Sequence, residues 1–423
     1  MSNTSSPTAR LHGLDALRAF ALLLGVVLHA GMSFLPGPYG IPVWIAQDSQ
    51  ATGLFGLTFY VPHIFRMVLF FLLAGFFARL AYQKRGAIGL AVDRFKRVAL
   101  PLVAFWMPVF AAIVAVIIWG AIKANGGEAP EAPEQPPLSA QNFPLTHLWF
   151  LYLLCLFYPV AILGRGMIRV VDRKDRLGSL LDRLTGLVTF SPLGLVLVAL
   201  PLTAAFMNAE NWMMWFGIPT PDTGLFPNLA ALTGYGAAFL FGWLLHRRID
   251  LLVRLRAFWM LNTAIAIALT AGCVTYIGIP PSFQAGEQTL PVLGYALAYS
   301  AAGWAWSFGL IGLSMKLFAR ESATARYTAD ASYWIYIVHL PIVMALQVAV
   351  SDVELPAIAK YAFILSITMV LATGSYQLLV RRSWLGGWLN GRRYGAKTPD
   401  AHSPNTAKQA KSAQTPSPIA APE

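Results

Sequence analysis

Charged side chains are scarce in this sequence of 423 residues. Asp, Glu, Lys and Arg make up 12% of it, where soluble domains have roughly 25%. Only two cysteines are present, Cys155 and Cys273, and both fall in apolar segments, so neither a disulfide framework nor a zinc-ligand spacing is available. We find no internal repeat and no glycine-rich phosphate loop. These absences exclude a soluble domain, a disulfide scaffold and a P-loop nucleotide enzyme.

Long apolar runs take the place of the missing charges. Hydrophobic residues make up 57% of the chain, and the mean hydropathy is +0.58. Runs long enough to cross a hydrocarbon core of about 30 Å lie near residues 14–36, 58–80, 98–122, 146–164, 188–207, 226–245, 257–279, 291–315, 331–350 and 357–380. The sequence therefore predicts an all-α fold, a polytopic transmembrane helical bundle of about ten spans. Residues 1–395 are predicted to form this membrane domain, and residues 396–423, rich in Ala, Pro, Ser, Thr and Lys, a disordered cytoplasmic tail.

The basic residues crowd alternate loops. They lie in residues 79–97, 165–183, 247–256, 316–326 and 381–397. Outside these segments and the terminal stretches, only Arg66, Lys123 and Lys360 remain. The positive-inside rule then places both termini in the cytoplasm. The formal net charge of +12 follows from this topology, with anionic lipid of the bilayer as a secondary partner, and no motif indicates a nucleic-acid partner.

Three ionisable residues share one side of the first apolar segment. Asp15, Arg18 and His29 follow the spacing of a single helical face, together with Leu22 and Gly25. Ionisable groups within a membrane span are costly, and they usually face a protein interior or a water-filled pathway. The stripe therefore indicates a site inside the membrane.

Helical rise gives the expected depth of the other polar residues. Counted from the last charged residue at the cytoplasmic end of each span, His29 lies roughly 16 Å deep, His339 roughly 14 Å and Arg66 roughly 20 Å. The same count places His63 and His147 at roughly 24 and 27 Å. Three polar groups from three helices are thus expected near the midplane, and two histidines nearer the outer mouth.

Each of these residues also has a purely structural interpretation. A transmembrane histidine can hydrogen-bond across helices, and His63 and His147 can simply mark the interface. Arg66 needs a carboxylate, a cluster of carbonyls or a ligand anion, because a guanidinium does not lose its proton. The basic loop between Arg79 and Arg97 is explained either by topology or by binding of phosphates.

The first of these motifs, RLHGLDALRAFALLLGVVLHA, is followed in the chain by four others: FRMVLFFLLAGFFARL, DRFKRVALPLV, HLWFLYLL and ASYWIYIVHLPIV. In this order, from Leu11 to Val343, they resemble the signatures of the acyltransferase-3 family of integral membrane acyltransferases. The residues of these motifs are most similar to those of the branch that succinylates osmoregulated periplasmic glucans. The resemblance implies a multi-pass protein of a bacterial inner membrane that transfers an acyl group from cytoplasmic acyl-CoA to a hydroxyl of an extracytoplasmic glycan.

The resemblance also assigns roles to individual residues. His29 matches the first-helix histidine regarded as catalytic in the family, and His339 belongs to its SY-x-IY-x-x-H signature. Arg94 and Arg97 match the basic motif implicated in handling acyl-CoA. Many relatives have serine or threonine before the glycine of the second span, whereas this chain has Ala74, so any role of that hydroxyl is absent.

The requirements of acyl transfer from a thioester match the residue types found in this sequence. The reaction needs a base for the attacking hydroxyl and charge stabilisation for the oxyanion, and His29 has a suitable titration range for the base, since imidazole titrates near ~6.5. Asp15 and Arg18 are expected to orient polar groups at the inner vestibule. The phosphates of coenzyme A suit the basic residues at the cytoplasmic mouth, which are Arg94, Lys96 and Arg97.

The identity of the acyl group rests on Arg66. A succinyl donor carries a second carboxylate that a core arginine would pair with, whereas an acetyl donor gives this arginine no partner. Arg66, with His63 and His147, is thus predicted to bind the acyl carboxylate or the acceptor. Succinyl-CoA or acetyl-CoA is expected as co-substrate, and neither a tightly bound cofactor nor a metal is predicted.

Two other function classes remain open from the sequence. A glycan flippase or export component without acyl transfer would share the aromatic outer loop NWMMWFGIP, whose Trp212 and Trp215 either stack on sugars or, as we prefer, sit in the interfacial belt. A secondary transporter is less favoured, because inverted repeats are not apparent.

Overall fold

The computed structural model describes residues 7–36, 44–130, 136–318 and 322–391. The predicted tail, residues 396–423, lies outside them. The described residues form thirteen α-helices: α1 Pro7–Gly31, α2 Gly53–Arg94, α3 Leu100–Ala124, α4 Trp149–Val171, α5 Arg176–Phe190, α6 Pro192–Met207, α7 Leu229–Leu245, α8 Leu251–Ala257, α9 Trp259–Ile277, α10 Leu290–Leu317, α11 Ala323–Val350, α12 Ala357–Ser375 and α13 Trp384–Asn390. Two isolated bridges are the only β pairings in these ranges. The all-α prediction is confirmed.

Seven helical segments of the described chain are long and apolar enough to cross a membrane. They are His12–Phe34, Gly53–Ala124, Thr146–Val171, Trp259–Ile277, Leu290–Leu317, Ala323–Val350 and Ala357–Val380. The pair α5–α6, bent by 105°, makes eight if it counts as one span, and α7 is a shorter apolar helix. The multi-pass helical bundle is therefore supported, while the number of ten spans and the cytoplasmic placement of the termini stay predictions.

Two of the ten predicted spans, 58–80 and 98–122, lie in the single segment Gly53–Ala124. At 1.5 Å per residue its 72 residues would measure about 108 Å if straight, far more than a hydrocarbon core. Gly86 interrupts α2 with a φ of 71°, a conformation that glycine adopts without steric cost, and a π-helical turn at Phe95–Ala99 leads into α3. The segment is thus bent where the basic residues accumulate.

Close helix packing depends on glycines in α2 and α7. A Cβ placed on Gly75 would overlap the carbonyl oxygen of Phe239, and one on Gly242 would overlap the carbonyl oxygen of Leu72. Small residues let two helix backbones approach in this way within a membrane. Helix α1 packs against α2, α10, α11 and α12 and therefore lies inside the bundle. This position places its polar stripe among other helices.

The interpretation of Trp212 and Trp215 as interfacial belt residues is wrong. Their side chains are only 2% and 1% exposed, because the loop that carries them folds into the bundle. Trp212 stacks on Phe206 at 4.1 Å between ring centroids and donates its indole N–H to the carbonyl of Gly217. The loop thus covers the end of the bundle opposite to the basic residues.

Candidate active site

Three histidines from three separate segments meet inside the bundle. The ring of His339 on α11 lies 5.4 Å from that of His29 on α1 and 5.2 Å from that of His147, which precedes α4. His339 and His147 are buried, at 2% and 8% exposure, whereas His29 is partly exposed. His29 therefore keeps some accessible surface, which the other two rings largely lack.

Backbone carbonyls fix the tautomers of two of these rings. His339 Nδ1 lies 2.8 Å from the carbonyl oxygen of Tyr336, and a carbonyl only accepts, so Nδ1 carries the proton and Nε2 holds a lone pair. His147 Nε2 lies 3.0 Å from the same oxygen and 3.2 Å from that of Ile337, so its Nδ1 is the bare nitrogen. The bare nitrogens of both rings, and Nδ1 of His29, have no hydrogen-bond partner among the described residues. The cluster therefore holds proton acceptors that the protein leaves unused.

The guanidinium of Arg66 lies against α1 one turn from His29. A Cβ added to Gly25 would overlap Arg66 Nη1, so any larger residue there would displace the guanidinium. Tyr235 and Tyr336 are close enough to interact with it electrostatically, and Nε has no hydrogen-bond partner in the described chain. Arg66 is only partly buried. A cationic donor thus lies one helical turn from His29, and like His29 it is partly accessible.

A loop folded over the end of α1 holds His29 from the other side. The indole of Trp44 stacks on the imidazole at 5.8 Å between centroids, nearly parallel at 8°. Gln347 of α11 accepts the indole N–H at 2.9 Å and donates to the carbonyls of His29 and Ala30 at 3.0 and 3.2 Å. One amide therefore ties the loop, α1 and α11 together at the histidine.

An ion pair anchors the same loop. Lys360 Nζ of α12 lies 2.6 Å from Asp48 Oδ2, and the two side chains are only 2% and 3% exposed. Asp48 also accepts the backbone N–H of Gln50, and its own N–H donates to the carbonyl of Ser33. This buried pair, with its additional hydrogen bonds, keeps its geometry, because separating the two side chains would leave an unpaired charge in the interior.

His63 lies on the side of the site away from the basic residues. Its ring stacks on Phe59 at 4.9 Å, and Phe59 stacks on Trp215 at 5.2 Å. His63 also interacts with the backbone of Phe216 and Ile218 in the inward-folded loop. It stands one turn before Arg66, as its position on α2 requires.

The predicted donor-binding residues gather around one carboxylate. Asp93, with a side chain 6% exposed, pairs with Arg85 at 2.6 Å, Arg94 at 3.2 Å and Arg97 at 3.4 Å. Arg94 also lies over the ring of Tyr158 at 5.3 Å. Because three guanidiniums share one carboxylate, this cluster keeps an excess of positive charge. We call the region of the bundle around it the basic end.

The remaining predicted residues lie near this cluster. Lys96 belongs to the π-helical turn, and its carbonyl accepts the indole N–H of Trp388 at 2.6 Å. Arg18 pairs with Asp15 at 3.4 Å and lies over the ring of Phe77 at 5.5 Å. Neither contacts His29, which is eleven residues, or roughly 16 Å, farther along α1 from Arg18. The site therefore has two parts, a basic end and a histidine–arginine centre.

The predicted depth of His147 is wrong. The count began at Arg165, but α4 extends past the level of the other helices, since Tyr158 already contacts Arg94. His147 is eleven residues from Tyr158, or roughly 16 Å, which is the depth of His29. Thr146 adopts a φ of 55° and starts a 3₁₀ turn that aims His147 at α11. No spacing rule in the sequence indicated this turn.

Trp44, Gln347, Asp48 and Lys360 were missed as site residues. Trp44 and Asp48 lie in a loop without periodicity, and Gln347 is a single polar residue in the apolar carboxyl-terminal part of α11. Lys360 stood out as a cation away from the basic loops, which was the one available signal. No group of three or more His, Cys, Asp or Glu within the described ranges is arranged to hold a metal ion.

Comparison with known proteins identifies the family of this chain. The model of the acyltransferase-3 family, described as an acyltransferase domain, matches residues 11–376. The chain belongs to the acyltransferase-3 family. The matched range contains every residue of the histidine–arginine centre and the basic cluster, so both parts of the site lie within the family's own domain.

Curated proteins include chains that are similar over most of this length. Glucans biosynthesis protein C from Salmonella paratyphi B and from Salmonella enteritidis is 22% identical over 349 residues, 81% of this chain and 84% of the relative. The Salmonella schwarzengrund protein of that name is 21% identical over 347 residues, with the same coverage. No solved structure matches.

Proposed function

We propose that this membrane acyltransferase moves an acyl group, preferably succinyl, from acyl-CoA at the basic end to a hydroxyl of an extracytoplasmic glycan. The observation that carries the proposal is that His29, His339 and Arg66 lie close together, and that each has a nitrogen without a hydrogen-bond partner among the described residues. His29 and Arg66 are also partly accessible. Family membership supports the reaction class. The relatives named for glucan biosynthesis support a glycan acceptor.

His29 acts as the general base in this proposal. The acceptor hydroxyl gives its proton to the imidazole while its oxygen attacks the thioester carbon, and the resulting imidazolium returns the proton to the CoA thiolate when the C–S bond breaks. The bare Nε2 of His339 is placed to accept a hydrogen bond from the imidazolium or from the substrate. A covalent acyl-histidine is an alternative route that uses the same residues.

Trp44 and Gln347 keep the base in position. The stacked indole limits rotation of the imidazole, and the amide of Gln347 fixes both the indole and the backbone of His29. A base must lie within hydrogen-bond reach of the proton that it abstracts, so small displacements are costly.

The basic end binds the donor in this proposal. Coenzyme A carries phosphates, and Arg94 and Arg97 present guanidinium donors beside Asp93, with Lys96 next to them. Asp15 and Arg18 lie on the same face of α1 as His29 and line the way from this end to the centre. The thioester then reaches His29 along α1.

Arg66 selects the acyl group. Burying the second carboxylate of a succinyl chain without a partner would cost several kcal/mol, and a bidentate guanidinium contact offsets this cost. Arg66 lies against Gly25, one helical turn from His29, and has no carboxylate partner in the part of the chain that the structure describes. His63, one turn before Arg66 on α2, and His147, beside His339, serve as polar neighbours of the acyl chain or the acceptor in this proposal.

The test follows succinyl transfer by the full chain in lipid vesicles. Labelled succinyl-CoA or acetyl-CoA is supplied on one side and linear glucan oligosaccharides on the other. We expect release of the CoA thiol and the mass increment of a succinyl ester on the glucan. Movement of glucan across the membrane without thiol release would instead indicate a flippase and would refute the proposal.

A further inference from the structure

A lateral groove lies between α4, α5 and α7, outside the site described above. Its volume is about 480 Å³, and its walls are almost entirely apolar. Val160 of α4 and Leu240 of α7, which line it, are 68% and 55% exposed. Exposed aliphatic side chains on a membrane-spanning helix face the lipid. The groove therefore opens sideways toward the bilayer.

One end of this groove is basic. Arg79, Arg165 and Arg247 line it, and Arg165 and Arg247 are close enough to Arg79 to repel it electrostatically. Arg247 is neutralised by Asp182 at 2.7 Å and Asp175 at 2.9 Å. The three arginines therefore outnumber the two carboxylates, and the groove keeps an excess of positive charge.

Arg79 is the decisive residue. Only 8% of it is exposed, it lies over the ring of Trp243 at 5.6 Å, and its Nε has no hydrogen-bond partner among the described residues. A buried guanidinium with an unused donor needs an anion, and phosphate satisfies several N–H groups at once. Basic pockets between membrane helices are suited to lipid headgroups.

We propose that this groove binds an anionic phospholipid from the leaflet at the basic end. The headgroup phosphate accepts hydrogen bonds from Arg79, with Arg165 adding positive charge. One acyl chain lies along Phe157, Val160 and Leu240. The lipid bridges α4, α5 and α7, so it stabilises the packing of these helices and takes no part in acyl transfer.

The position of the groove distinguishes this ligand from coenzyme A. A soluble nucleotide gains little from an apolar wall that opens to lipid, whereas an acyl chain buries its surface there at about 25 cal/mol per Å². Charge and apolar surface occur together at this groove, and a phospholipid is the ligand class that matches both.

The test measures the melting temperature of the full chain in nanodiscs. One set contains phosphatidylcholine alone, and the other contains phosphatidylcholine with phosphatidylglycerol. We expect phosphatidylglycerol to raise the melting temperature of the wild type and of Arg254→Gln, a control at an exposed arginine that lies over Phe190 on another face. The rise should vanish in Arg79→Gln. Native mass spectrometry should find retained phosphatidylglycerol lowered about tenfold, the loss expected for a charge-assisted hydrogen bond.

A second variant tests the apolar wall without changing charge. A Cβ on Gly236 meets only the ring of Phe157, at 3.6 Å, so leucine there would fold into the groove and displace the acyl chain. Gly236→Leu should abolish the phosphatidylglycerol effect while Arg79 remains. An equal phosphatidylglycerol effect in all four proteins would overturn the proposal. Loss of acyl-CoA binding in both groove variants would overturn it too, because the groove would then hold the donor.

Discussion

Replacing Arg66 with glutamine should lower transfer from succinyl-CoA much more than transfer from acetyl-CoA. The side chain lies against Gly25, one helical turn from His29, and its Nε has no hydrogen-bond partner within the described chain. Glutamine keeps hydrogen-bonding capacity but removes the charge that neutralises a succinyl carboxylate. Acetyl-CoA has no such carboxylate, so its transfer should be largely spared.

The size of the effect follows from the contact that is lost. A hydrogen bond to a charged group contributes about 1.5–3 kcal/mol, and each 1.36 kcal/mol is tenfold in rate. Succinyl kcat/KM should therefore fall by roughly ten- to a hundredfold in Arg66→Gln. The assay is thiol release from succinyl-CoA and acetyl-CoA at equal concentrations of the vesicle-bound protein.

Gly25 offers an independent way to disturb the same cation. Because a Cβ there would overlap Arg66 Nη1, Gly25→Ala should displace the guanidinium while keeping its charge. Gly25→Ala should therefore also lower succinyl transfer. The loss of transition-state stabilisation in the double variant Gly25→Ala with Arg66→Gln should be smaller than the sum of the two single losses, because both substitutions act on one contact. Equal loss of both donors in Arg66→Gln would refute this reasoning and make Arg66 a structural residue.

Three further predictions concern other parts of the site. Asp48→Asn should leave the buried ammonium of Lys360 unpaired and lower the free energy of unfolding by about 3–5 kcal/mol, whereas Asp48→Leu with Lys360→Met should recover much of it in a thermal melt. Gln347→Leu should lower kcat with little change in KM, because it releases the indole that holds the base; an unchanged kcat would contradict this. Arg94→Gln with Arg97→Gln should weaken acyl-CoA binding and reduce its salt dependence, and unchanged affinity would favour a topological role for these charges.

Helical periodicity sufficed to predict that His29 and His339 lie close in depth. The spacing of one face of α1 and a count of helical rise placed His29 and His339 at similar depth on different helices, and the two rings lie 5.4 Å apart in the structure. Counting residues gives depth correctly because an α-helix has a constant rise per residue. The count fails where a helix begins or ends in an irregular turn, as at Thr146, whose turn brings His147 into the cluster.

Contacts made by loops were not accessible to the same rules. Asp48 and Lys360 are 312 positions apart, and nothing periodic links them. Trp44 reaches His29 only because its loop folds back over α1. The tryptophans of the other inward-folded loop, Trp212 and Trp215, have the composition of an interfacial belt but pack against aromatic rings inside the bundle. Composition gives the preferred environment of a side chain, and tertiary packing decides which of several environments it occupies.

The rate of acyl transfer by His29→Gln tests the central claim most directly. His246→Gln is the matched control, because its ring packs on Phe76 away from the histidine–arginine centre. Both variants are inserted in vesicles at equal amounts, and their folding is checked by thermal melting. Loss of a general base predicts a rate on the order of 10²–10⁴-fold below wild type for His29→Gln, with His246→Gln close to wild type. Near-normal transfer by a folded His29→Gln would contradict the assignment of His29 as the base.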